Sequence, residues 1–121
     1  KDLLIEPASV KKKHFPFGDI QAEKERWEMF LKNHQGIAIW GAGAKGNTFL
    51  NLLDPNCEKV SFVIDMNPAK QGKHIAGAGH KIVSPDILGS SAIKEILVMN
   101  ENYLEEIREI VSGYKIKLFN L

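Results

Sequence analysis

Three glycines, Gly41, Gly43 and Gly46, make the pattern G-x-G-x-x-G within IAIWGAGAKGNTFLNLL, residues 37–53. If this is a strand-to-helix turn around a phosphate, each glycine has a physical task. The first permits a tight reversal, the second lets a phosphate approach the backbone, and the third lets helix and strand pack closely. The amides that open the following helix lack intrahelical acceptors, so they present an anion with the positive end of the helix dipole. Lys45 lies inside the turn, within reach of the same anion. Asn47 and Thr48 follow it, as further donors or as groups that cap the helix. Asp65 comes nineteen residues after Gly46, where a carboxylate at the end of the next strand binds a ribose hydroxyl. The same acid would equally serve to hold the turn that follows it.

That turn opens the second unusual stretch, DMNPAKQGKHIAG, residues 65–77. Asn67-Pro68 forces a reversal directly after the strand. Lys70 and Lys73 then stand close to Asp65, as cations for a diphosphate or as ordinary solvated lysines. The glycines by themselves leave two readings open: an occupied phosphate site, or a tight turn in a scaffold whose crevice is empty.

The elements that must position these residues alternate along the chain. Residues 1–19, with Pro7, three consecutive lysines, Pro16 and Gly18, have little periodicity and read as a linker or arm. Residues 20–121 read as one domain. A helix from Ile20 carries Trp27, Phe30, Leu31 and His34 at helical spacing and ends at Gly36. Strands are expected at Ile37 to Trp40, Val60 to Asp65, His80 to Val83, Glu95 to Met99 and Lys115 to Phe119. Helices are expected at Gly46 to Leu53, with Phe49, Leu50 and Leu53 on one face, and at Asn102 to Ser112, with Leu104, Ile107 and Val111 on one side. Asn102 reads as the cap of the second. Ser84 caps a short helical turn that begins at Pro85. This alternation predicts an α/β, Rossmann-like three-layer domain with a mainly parallel sheet of about five strands.

Composition narrows the partners. Sixteen Lys and Arg balance fifteen Asp and Glu, so the chain lacks the basic footprint of a nucleic-acid binder. Its apolar runs are far shorter than a membrane span. Cys57 is the single cysteine, which excludes a disulfide framework and a thiolate metal site, and a cytoplasmic setting is expected. None of His14, His34, His74 or His80 has an acid or nucleophile near it in sequence, so no catalytic or metal-binding residue is expected. An intact NAD enzyme is disfavoured because the usual fold has two βαβαβ halves and this chain reads as one. A complete methyltransferase is disfavoured too, since Ile39 stands two residues before the first glycine, where such enzymes commonly carry an acid.

Together, GAGAKGNTFLN (residues 41–51), DMNPAKQGKHIAG (65–77), IVSPDIL (82–88) and ILVMNENYLEEI (96–107) resemble the C-terminal domain of S-adenosylmethionine-dependent sugar C-methyltransferases. The resemblance covers about residues 20–119 in consistent order. It implies a division of labour: a zinc-binding N-terminal domain and a central methyltransferase domain, both outside these residues, and a non-catalytic Rossmann-like domain that helps hold a nucleoside-diphosphate sugar. It also implies that the chain, opening on Lys1, is a piece of a longer protein. S-adenosylmethionine would belong to the central domain, and this one would bind no cofactor. The expected substrate-binding residues are Gly41, Gly43, Lys45, Gly46, Asn47, Asp65, Asn67 and Lys70. Two departures from the family stand out. Gly43 is often alanine in relatives, and Asn100-Glu101 stands where Pro-Trp is frequent, which removes an aromatic surface for a base or sugar. The competing expectations are an NAD(H)-binding regulatory domain and a packing domain with no ligand.

Overall fold

The computed structural model describes residues 20–34 and 36–121, and the arm expected over residues 1–19 lies outside them. Among the described residues, α1 (Ile20–Lys32) leads into β1 (Ile37–Trp40), α2 (Ala44–Leu53), β2 (Val60–Ile64), β3 (Ile82–Val83), β4 (Glu95–Val98), α3 (Leu104–Val111) and β5 (Lys117–Asn120). The five strands form one sheet in the order β3-β2-β1-β4-β5, and every pairing is parallel. No helix among the described residues is long and apolar enough to cross a membrane.

Strand alternation sorts the core into two layers. Ile37, Ile39 and Val63 face one side, where they meet Trp27 and Leu31 of α1 and Phe49, Leu50 and Leu53 of α2. Ala38, Trp40, Ile64, Ile96 and Val98 face the other, against Ile107 and Val111 of α3. All four residues of β1 are buried, as a central parallel strand covered on both faces requires. Trp27 and Trp40 are core residues as expected. Phe30 is half-buried, stacked on the His34 ring at 4.0 Å between centroids.

Several boundaries differ from expectation, each for a local reason. Helix α2 begins at Ala44, so Gly46 sits within its first turn rather than opening it. The third strand is two residues long: the Lys81 carbonyl still accepts the Val63 amide at 2.9 Å, but the His80 carbonyl accepts the Ile75 amide of the preceding connection at 2.8 Å. The third helix starts at Leu104 after a single 3-10 turn over Glu101–Tyr103. Asn100 caps that turn, its Oδ1 accepting the Asn102 amide at 2.9 Å, so Asn102 is a donor there rather than the cap. Ser84 does cap the 3-10 turn Pro85–Gly89, accepting the Asp86 amide at 3.1 Å.

The sheet also corrects the reading of a single βαβαβ half. Strands β4 and β5 continue the sheet on the far side of β1, so the strand order reverses at β1 within this chain. The carboxyl edge at β1 is therefore bounded on both sides by strands of this chain.

Between β2 and β3 the chain runs through residues 65–81 without a helix, and hydrogen bonds fix it instead. Gln71 Nε2 donates to the Asp65 carbonyl at 2.8 Å, and Asn51 Nδ2 of α2 donates to the Ala76 carbonyl at 2.9 Å. Gly77, at φ +86°, turns beneath the Asn51 amide, and a Cβ there would overlap Asn51 Oδ1. Gly77→Ala therefore combines left-handed strain with loss of the Asn51 bonds, and should lower stability by about 1–3 kcal/mol. A urea midpoint unchanged from the parent chain would contradict this account of the loop.

Candidate functional site

The carboxyl end of β1 meets α2 through the glycine turn. Gly41 has φ +123°, and a Cβ on it would crowd Met99 Cβ at 3.1 Å. Its amide donates to the Ile64 carbonyl at 2.8 Å, extending the β1–β2 ladder into the turn. Gly43 is the N-cap of α2 in extended backbone, with no side-chain cap. The helix's first closed bond runs from the Asn47 amide to the Gly43 carbonyl at 3.0 Å. The amides of Ala44, Lys45 and Gly46 precede that bond and lie at the positive end of α2. A Cβ at Gly43 would meet nothing within 4 Å, whereas one at Gly46 would overlap the Gly41 carbonyl oxygen. The first and third glycines are thus required by packing, and the second leaves open space above the helix end.

Asp65 ties the turn after β2 to this loop. One carboxylate oxygen accepts the Ala42 amide and the other the Asn67 amide, each at 2.8 Å. Asn67 Oδ1 in turn accepts the Ala69 amide at 2.9 Å. Lys70 Nζ stands 3.5 Å from the Ala42 carbonyl, so the Ala42 peptide is held through both its polar groups. The structural task weighed for Asp65 is therefore one that it performs. Each of its oxygens retains a further lone pair for a ligand.

These residues wall a crevice of about 780 Å³ at the carboxyl ends of β1, β2 and β4. Gly41, Gly43, Lys45, Gly46, Asp65, Asn67 and Lys70 all line it. Asn47 and Thr48 do not: Asn47 Oδ1 accepts Asn51 Nδ2 at 2.7 Å, toward the 65–81 connection. Lys73 also lies outside, its carbonyl accepting the Ile82 amide at 2.8 Å. The third wall, from β4 and α3, contains Met99, Asn100, Tyr103, Glu106, Ile107 and Ile110. None of these was singled out as a ligand-binding residue from the sequence. The available signal was the i, i+3, i+4, i+7 recurrence of Tyr103, Glu106, Ile107 and Ile110, which places them along one helical stripe.

Elsewhere the fold supplies partners that sequence proximity concealed. His34 Nδ1 is 2.6 Å from Glu95 Oε1, and the buried His80 pairs with Asp54. Neither pair lines the crevice. Asp54 accepts the amides of Glu58, Lys59 and Val60 as well as His80. Burial pushes its carboxyl up, but these hydrogen bonds together outweigh burial and hold it below its ordinary value. An ionised carboxylate only accepts, so His80 Nε2 is the donor in this contact. Among the described residues, no group of three or more His, Cys, Asp or Glu is placed to hold a metal ion.

A family model described as the C-methyltransferase C-terminal domain matches residues 21–117. No match is found among curated proteins. Among solved structures, the chain is similar to the crystal structure of RSP, a Rex-family repressor, with a TM-score of 0.55 and 13% identity. The match covers 88% of this chain and 65% of that one, so the chain spans less than two thirds of that protein's length. At this identity the likeness concerns the Rossmann-type fold alone.

Proposed function

Because this chain belongs to the C-methyltransferase C-terminal domain family, we propose that its crevice holds the diphosphate of a nucleoside-diphosphate sugar for methylation by another domain of a longer protein. That longer protein would contain the N-terminal and central methyltransferase domains, and S-adenosylmethionine would bind the central one. This domain's part is positioning, without catalysis. The observation that carries the reading is the open, glycine-lined start of α2 with Lys45 and Lys70 both lining the same crevice. Fixed amides, a helix N-terminus and two ammonium groups together form a fitting receptor for a diphosphate. A carboxylate at the end of β2 suits a ring hydroxyl of the same ligand.

A second reading, an NAD(H)-binding regulatory domain, has a specific observation in its favour. The strand order reverses at β1 with Asp65 at the end of β2, the arrangement that receives dinucleotides in open α/β sheets. Calorimetric titration with uridine diphosphate, its glucose conjugate, NADH and S-adenosylmethionine separates the two. The proposed function expects heat from the first two and none from the others. Binding of NADH alone would favour the second reading, and no binding at all would leave a packing domain.

Lys45→Ala combined with Lys70→Ala is the residue-level test. Lys45 is exposed and Lys70 half-buried with one long contact, so the fold should survive. Removing two charge-assisted contacts should weaken nucleotide binding roughly 10–100-fold. An unchanged affinity would place the phosphates elsewhere.

A further inference from the structure

The crevice has two unlike halves, and from them we infer the direction in which the nucleotide lies: its base rests on Tyr103, on the α3 side, and its sugar lies by Asp65 and Lys70. This rests on the proposed nucleotide-sugar function and adds an orientation to it.

Strands β2 and β4 flank β1 on opposite sides, so a segment that follows each of them bounds the crevice on its own side of the glycine turn. Met66 and Tyr103 belong to these two segments. They are two of the four large apolar side chains exposed among the described residues, at 51% and 56%, and both line the crevice.

Charge and shape then assign the halves. On the α3 side the wall is apolar apart from Asn100 and Glu106, and Tyr103 offers an exposed aromatic face. Glu106 repels a phosphate from that side, while Lys45 and Lys70 attract it toward the glycine turn and β2. A neutral flat base suits the Tyr103 face. A ring bearing several hydroxyls suits the β2 side, where the carboxylate, an amide side chain and an ammonium stand together. The Tyr103 main chain is also anchored: its amide donates to the Asn100 carbonyl at 3.1 Å within the capped turn. Tyr103 therefore supplies an aromatic surface at the site where the sequence, with Asn100-Glu101, was expected to lack one.

The test compares uridine diphosphate with inorganic pyrophosphate as calorimetric probes on the parent chain, Tyr103→Ala, Tyr103→Phe and Met66→Ala. Tyr103→Ala should weaken uridine diphosphate by about tenfold and leave pyrophosphate unchanged, while Tyr103→Phe keeps both. Loss on Met66→Ala with none on Tyr103→Ala would overturn the orientation and leave the diphosphate site standing. Equal affinity of the parent chain for both probes would also overturn it, since the base would then contribute nothing. Binding of neither probe would remove the orientation together with the function on which it rests.

Discussion

Gly46→Ala should destabilise the domain by about 3 kcal/mol, while Gly43→Ala, three residues earlier in the same motif, should leave its stability within about 1 kcal/mol of the parent or slightly raise it. The difference is steric. A Cβ at Gly46 overlaps the Gly41 carbonyl oxygen and also meets Met99 Cγ at 3.5 Å. Gly41 has little freedom to yield, since its amide is tied to Ile64 and its φ is +123°. Helix α2 would have to move off the sheet, disturbing Phe49 and Leu50, which are fully buried beneath it. Gly43 has φ −88° and open space where a methyl would go, so alanine there narrows the unfolded ensemble without strain. Urea melts of the two variants decide the matter. Equal midpoints would mean that the third glycine is not needed to seat the helix. If Gly46→Ala fails to fold, the retained stability of Gly43→Ala still tests the asymmetry.

Asp54→Ala should cost about 3–5 kcal/mol, as loss of one partner of a buried pair commonly does. Three backbone amides and His80 Nε2 converge on this carboxylate, and the side chain is almost fully excluded from water, with the residue 2% exposed. Removing it leaves all four donors without that acceptor, and two of them, the Val60 amide and His80 Nε2, are in buried surroundings. The pH dependence has a definite sign. Folding holds the Asp54 carboxyl below its ordinary value of 3.8, so folding favours the charged form. The stability this adds is fully present above that ordinary value and is lost as pH falls through the lower folded value. Stability of the parent chain should therefore fall in acid more steeply than that of Asp54→Asn, which cannot ionise. Coincident acid limbs, or a loss below about 1 kcal/mol in Asp54→Ala, would contradict this role. Asp54→Asn keeps one acceptor oxygen, and provides the measurement if the alanine variant does not fold.

Much of the fold was legible because it is written in local periodicity. Apolar runs of strand length, a three-and-four recurrence in the helices and the glycine turn between β1 and α2 are short-range patterns, and they gave the α/β class. Lys45, inside the turn, and Asp65, Asn67 and Lys70, which follow the next strand, share one crevice. Asn47 lies outside the crevice, a placement that sequence leaves open because both faces of a helix start look alike there. Only the approach of Asn51 and the 65–81 connection determines which face it serves.

The sequence by itself determined the kind of domain, the family to which its motifs belong and the residue types gathered around the glycine turn. Tertiary structure decided three other things. It set the sheet order, which reverses at β1 and opens a crevice there. It brought Tyr103 and Glu106 to the third wall, and paired Asp54 with His80 across 26 residues of chain. Each depends on which strand lies beside which. Local propensities are indifferent to that choice, and it is settled only when both faces of the sheet are covered at once.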